Sequence, residues 1–222
     1  MFNKFKELFG SENLLDTAFE TTLTMLDFDF QMYEASRKTL RDSNTANLPF
    51  DIKQTDRKIN KYEREVRRNV LTHLTIAGTQ NLVPGMALVS IVIDVERIGD
   101  YTKNIAGLAD IHPKKLKGGK FEDDLLKIEA TIEEHFPLVI EVLKSQDKKK
   151  ARSILQKEDE IAKLSDNIVN AMIQNKDKDL KDGADVAVAM YARYLKRINA
   201  HLTNIASAIV NPFPRIGFRE KN

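Results

Sequence analysis

The chain has 222 residues, 42% of them hydrophobic and 31% charged, with a formal net charge of +2 and no cysteine. This composition supports a packed core and excludes general disorder. The near-neutral charge lacks the basic bias of a general nucleic-acid binder, and without cysteine the chain has no disulfides, thiolate metal sites or cysteine nucleophiles.

Apolar residues recur at helical spacing along almost the whole chain, and hardly any stretch alternates as a strand would. Glycine and proline are few and cluster between these stretches. We predict an all-α protein of six long helices, at about 12–41, 51–77, 84–110, 121–145, 148–174 and 184–210. Pro137 is a candidate kink in the fourth helix, and we expect the tail, 211–222, to be irregular.

The two halves of the sequence resemble each other. VERIGDYTKNIA (Val95 to Ala106) aligns with LKRINAHLTNIA (Leu195 to Ala206) at an offset of 100 residues and matches at five positions. The order of the flanking helices is also the same. We therefore predict two tandem antiparallel three-helix bundles that arose by internal duplication. The first spans 1–112 and the second 121–210, with a basic linker at 113–120.

Acidic residues interrupt the inward face of two neighbouring helices. On the third helix, Glu96 and Asp100 are four residues apart among aliphatic and small residues, with Asn104 one turn further on. On the second helix, Asp56 and Glu63 lie on an apolar stripe, with Asn60 beside them. A buried carboxylate is costly unless it is paired, hydrogen-bonded or metal-bound.

Two interpretations of these acids stay open from spacing alone. Clusters of carboxylate and amide oxygens suit hard or borderline cations such as Mg²⁺, Mn²⁺, Fe or Zn²⁺. Equally, the acids could pair with basic residues close in sequence, namely Arg97, Lys58, Arg64 and Arg67.

The segment from Val95 to Ala106 resembles the signature of the PhoU family, a carboxylate-x-x-x-Asp motif in a LERIGD context followed by Asn-Ile-Ala. The duplicated six-helix layout is similar too. The resemblance implies two three-helix bundles and, in some members, multinuclear metal clusters held by the motif acids. It also implies a non-enzymatic role in phosphate uptake, together with a phosphate transporter and a sensor kinase at the inner membrane.

Carried over residue by residue, the resemblance assigns Glu96, Asp100, Asp56, Asn60 and Asn104 as metal ligands, with Glu63 a further candidate. In the second half Lys196 and Ala200 replace the motif acids. Since a lysine would repel a cation, we expect a metal (Fe, Zn or Mn) in the first half only.

The function that we predict is regulation of phosphate uptake and phosphate-starvation signalling. The protein would be a cytoplasmic adaptor, in contact with the membrane through its partners. Two roles stay open for its long first helix, a face for a homo-oligomer and completion of the bundle. The sequence contains no Gly-rich phosphate loop, no Gly-x-Ser-x-Gly elbow and no HExxH motif, so none of these motifs indicates an enzyme. Two alternatives are a metal-storage protein without a phosphate role and a metal-free helical scaffold.

Overall fold

The computed structural model describes residues 14–112, 114–180 and 183–220, and within them the predicted all-α fold is confirmed. The described residues form six long helices. They are α1 (Leu14–Asp42), α2 (Ile52–Ala77), α3 (Leu82–Ile111), α4 (Glu122–Ser145), α5 (Lys148–Ile173) and α6 (Ala184–Val210). The predicted start of the first helix at residue 12 lies outside the described residues.

The helices assemble into two antiparallel three-helix bundles in tandem, as predicted. Helices α1, α2 and α3 pack on one another, and so do α4, α5 and α6. The bundles join mainly through α3 against α6, with α1 against α4 beside that contact. Phe136 of α4 contacts two aromatic rings of α1, with centroid distances of 5.0 Å to Phe30 and 5.5 Å to Tyr33. One apolar core therefore continues from the first bundle into the second.

Local signals explain where the helices begin and end. Asp51 caps α2 by accepting a hydrogen bond from the backbone N–H of Gln54, and Asp147 caps α5 by accepting from Lys149 and Lys150. Such caps satisfy backbone donors that have no partner within the helix. Helix α3 begins at Leu82, two residues before its predicted start, because Pro84 is tolerated in the first turn of a helix. Helix α4 continues through Pro137 as one element.

The predicted linker is attached to the first bundle. Leu116 is fully buried, and its backbone N–H donates to the carbonyl of Leu40 at 2.9 Å. The Arg41 guanidinium donates to the carbonyl of Leu116 and to the carboxylate of Glu122. The basic composition of this stretch suggested a solvated connector, but one leucine and one buried arginine fix it against α1. Pro113 lies outside the described residues.

The tail follows the second bundle in a largely irregular path, as expected, with one short turn at Phe213–Arg215. The side chain of Asn211 donates to the carbonyls of Arg215 and Phe218. Arg152 of α5 then holds Glu220 through two hydrogen bonds of 2.8 and 2.7 Å. These contacts place the tail over α5 and α6.

One segment of the described residues, Ile52–Ile111, is long and apolar enough to cross a membrane by length and composition alone. It comprises α2, a short turn and α3, and 39% of its most apolar window is buried inside the protein. This is weak evidence for a membrane span, because the core helix of a water-soluble protein passes the same test.

Buried His135 of α4 should make the stability depend on pH. Burial lowers the pKa of His135, partly offset by its hydrogen bond to Asn199, so the folded chain favours the neutral ring. Below the unfolded pKa of about 6.5, protons bind the unfolded chain preferentially. We expect the free energy of unfolding to fall by about 1 kcal/mol between pH 7.5 and pH 5 from this residue. Urea unfolding of the parent and of His135→Gln at both pH values measures this change in the free energy of unfolding. An equal fall in the variant would show that His135 is not its source.

Candidate functional site

Four acidic side chains from three helices lie near enough to interact electrostatically in the first bundle. We call them the acid cluster: Asp29 of α1, Asp56 of α2, and Glu96 and Asp100 of α3. Asp29 is fully buried, and both of its oxygens lack a hydrogen-bond partner among the described residues. Burial, and then the neighbouring charges of the other three acids, raise the pKa of Asp29 well above its ordinary value. Ionising Asp29 in the folded protein is therefore more costly than ionising an exposed aspartate.

Gly99 makes the close approach of α1 to α3 possible. A Cβ atom at this position would lie 2.9 Å from the Oδ1 atom of Asp29 and 3.3 Å from Cδ1 of Ile59. The first distance is shorter than real Cβ contacts, so a larger residue would push the helices apart or displace the carboxyl group. The glycine of the ERIGD stretch thus has a packing role between the two motif acids.

Lys103 closes the cluster on its solvent side. Its Nζ donates to Oδ1 of Asp56 and to Oδ1 of Asp100, each at 2.9 Å. The side chain is 32% exposed, so it reaches the carboxylates from the rim of the bundle. Burial lowers the pKa of Lys103, but the hydrogen bonds to both carboxylates outweigh burial and raise it. The ammonium is therefore a fixed positive charge that bridges α2 and α3.

Two arginines lie at the edge of the acid cluster. Arg97 approaches Glu96 at 3.6 Å and Asp100 at 3.3 Å, and Arg67 pairs with Glu63 at 3.1 Å along α2. Burial raises the pKa of Glu96, as does the charge of Asp100, whereas Arg97 lowers it. Because Arg97 is more than half exposed, these pairs contribute little to stability.

The structure brings together three of the residues that the sequence singled out, Asp56, Glu96 and Asp100. Glu63 lies at the edge and interacts electrostatically with Glu96. Asn60 is half-buried and Asn104 is exposed, and neither amide side chain makes a hydrogen bond among the described residues.

Sequence reasoning missed two members of this site, Asp29 and Lys103. The helical spacing of each residue could have indicated its place in the site. Asp29 lies three residues after Leu26 and four before Tyr33, both of which are fully buried, so it shares their face of α1. Lys103 lies three residues after Asp100, a spacing at which side chains on a helix are neighbours.

The acid cluster, as arranged, does not fit a bound metal ion. The position between the carboxylates of Asp56 and Asp100 is taken by the ammonium group of Lys103. Across residues 14–112, 114–180 and 183–220, no three histidine, aspartate or glutamate side chains are grouped so that they could hold a metal. A metal at Glu96, Asp100, Asp56, Asn60 and Asn104 stays a prediction, and binding one would require Lys103 to move away.

The corresponding region of the second bundle is built differently. Lys196, at the position aligned with Glu96, donates to both carboxylate oxygens of Asp166 at 2.7 and 2.6 Å. His201 donates from Nδ1 to Asp94 of α3 at 2.7 Å, and Asn204 donates to the same oxygen at 3.1 Å. Arg197 donates to the other ring nitrogen of His201. This part of α6 therefore holds the two bundles together.

The chain carries the same three-helix bundle twice, with motif carboxylates in the first copy and Lys196 and Ala200 at the aligned positions of the second. The PhoU domain family matches this chain twice, over residues 22–109 and 125–209. Together these segments cover well over half of the chain, and the chain therefore belongs to the PhoU family.

Solved structures and one curated relative are similar to this chain. PhoU from Pseudomonas aeruginosa has a TM-score of 0.75 at 19% identity and covers 95% of this chain and 97% of its own. The phosphate transport system regulatory protein PhoU from Streptococcus pneumoniae has a TM-score of 0.73 at 18% identity. That match covers 88% of this chain and 93% of the S. pneumoniae chain. An uncharacterized protein of Methanocaldococcus jannaschii is 29% identical over 201 residues. The match covers 89% of this chain but only 63% of that relative.

Proposed function

We propose that the chain is a non-enzymatic adaptor that restrains phosphate uptake when phosphate is sufficient. The observation that carries this proposal is the family match in both halves of the chain. The name of the similar S. pneumoniae structure, a phosphate transport system regulatory protein, supports the same role. The proposed partners are a phosphate transporter or its sensor kinase at the inner membrane, so the adaptor would be cytoplasmic and peripheral to the membrane.

A surface suited to such a partner lies where α2 turns into α3. We call it the apolar tip, and its members are large apolar side chains that are at least a third exposed: Leu71, Ile76, Leu82, Val83 and Met86. Ile76 is 78% exposed and Leu71 68% exposed. The two helices touch just behind it, where a Cβ on Gly85 would lie 3.1 Å from Val70 and 3.2 Å from Leu74. Exposed apolar patches of this type commonly mark contacts with other proteins.

Charges introduced at the apolar tip should disable the adaptor without unfolding it. We expect a strain whose chromosomal copy carries both Ile76→Glu and Met86→Glu to take up phosphate, in phosphate-rich medium, as fast as a strain that lacks the protein. The reason is that a carboxylate in an apolar interface must lose its hydration on binding. The measurement is initial uptake of labelled phosphate, with protein level followed by immunoblot.

Ile173→Glu is the matched control, because Ile173 is 76% exposed but lies at the end of α5 in the second bundle. Surface substitutions of this kind change stability by about 0.5 kcal/mol or less. Uptake in the control should equal uptake in the parent strain. If the tip variant restrained uptake as fully as the parent, the apolar tip would not be the docking surface.

A further inference from the structure

The family resemblance implies a metal ion at the motif acids, but in this chain the side chain of Lys103 places a cation there. We infer that Lys103 is a built-in counter-cation that takes the place of a bound metal at the acid cluster, so that the bundle forms without one. The inference concerns the purified protein and does not depend on the proposed role in phosphate uptake.

The position of the Lys103 ammonium is the first support. It lies 2.9 Å from one carboxylate oxygen on α2 and 2.9 Å from another on α3. A cation that bridges two helices through their carboxylates is the arrangement that a metal ion would otherwise provide. The ammonium also repels a second cation at this short range, because the repulsion between like charges is strong at a few ångströms and is screened less by protein than by water.

Of the acids that Lys103 does not contact, Glu96 lies beside an arginine and Asp29 lies away from solvent. Glu96 and Asp100 have the Arg97 guanidinium within 3.6 Å. Asp29 is fully buried, and Gly99 of α3 packs directly against its carboxyl group, so this side chain lies out of reach of an ion in solvent. Three of the four acids, Asp56, Glu96 and Asp100, therefore have a cationic side chain of this chain within 3.6 Å.

In the second bundle, a different lysine pairs with a carboxylate of the neighbouring helix. There Thr203 aligns with Lys103, while Lys196 aligns with Glu96. Lys196 contacts both oxygens of Asp166, at 2.7 and 2.6 Å, and is 24% exposed. In each half one partly buried lysine thus pairs with carboxylate on the neighbouring helix at the motif site.

Thermal melting of the purified protein with EDTA, and with added Mn²⁺ or Zn²⁺, tests the inference. We expect the melting temperature of the parent to stay within about 1 °C under all three conditions, since a ligand raises stability only if it binds the folded state. Lys103→Met should melt about 3–6 °C lower than the parent in EDTA. Added Mn²⁺ or Zn²⁺ should recover most of that loss, because the vacated carboxylates can then bind the ion.

Two further variants act as controls. Lys103→Arg keeps the positive charge and should show no response to metal. Lys61→Met removes an exposed lysine of α2 and should melt like the parent.

A parent that is stabilised by Mn²⁺ or Zn²⁺, with the effect lost in Asp56→Asn/Asp100→Asn, would overturn the inference. So would a folded Lys103→Met that does not respond to either ion. If Lys103→Met does not fold, calorimetric titration of Mn²⁺ and Zn²⁺ into the parent decides: no binding at the cluster supports the inference, and binding lost in Asp56→Asn/Asp100→Asn overturns it.

Discussion

Replacing Arg41 with methionine is expected to lower the free energy of unfolding by about 3–5 kcal/mol, the cost of removing one partner from a buried ion pair. Arg41 is only 4% exposed, and its Nε lies 2.7 Å from Oε1 of Glu129. That same oxygen accepts a hydrogen bond from the hydroxyl of Tyr191 at 2.9 Å. Without Arg41, the Glu129 carboxylate would stay buried with this hydroxyl and the more distant Arg37, at 4.0 Å, as its partners.

The effect should be large because Arg41 joins three parts of the fold. It lies at the end of α1, pairs with α4 through Glu129, and holds the linker through the carbonyl of Leu116. Urea unfolding followed by circular dichroism measures the change. Lys38→Met is the matched control, since Lys38 is exposed on the same helix. A loss below about 1 kcal/mol for Arg41→Met would mean that the network is no more than a surface ion pair.

Asp29→Asn is expected to act in the opposite direction and raise the free energy of unfolding by about 1–3 kcal/mol at pH 7, because each unit by which folding raises the pKa of a carboxyl group costs about 1.4 kcal/mol at a pH above that pKa. Asparagine has almost the same shape as aspartate but carries no charge. Folding at neutral pH must either bury the Asp29 carboxylate beside three other acids or protonate it. The amide avoids both costs.

Asp27→Asn is the control for this prediction, because Asp27 is exposed two residues earlier on α1. Urea unfolding at pH 7 compares both variants with the parent. If Asp29→Asn were less stable than the parent, the Asp29 carboxylate would have to be receiving a favourable charge or hydrogen bond, contrary to our description of the acid cluster.

Most of the fold could be predicted from the sequence, because long helices with a regular apolar face leave a strong periodic signal. All six helices were predicted within a few residues of their observed bounds. The errors lie where a contact distant in sequence decides the structure. The linker had the composition of a solvated loop, yet Leu116 is buried through its contact with α1.

The candidate site was predicted only in part, for physical reasons that differ between residues. Asp56, Glu96 and Asp100 were found because acids that interrupt an apolar helical face are conspicuous. Asn104 was expected inside but is exposed, since it lies 80° from Glu96 on an ideal helix, at the edge of the inward face. Lys103 was missed because its long side chain reaches back to a carboxylate on another helix, which helical angles do not show.

We infer that Lys103 takes the place of a metal ion between Asp56 and Asp100, because its ammonium group contacts both carboxylates. The most direct measurement is elemental analysis of the purified, untagged protein, prepared without chelator, beside Asp56→Asn/Asp100→Asn. The account predicts no stoichiometric iron, zinc or manganese in either protein. A stoichiometric metal that is present in the parent and lost in the variant would contradict it and would confirm the metal site first predicted from the sequence.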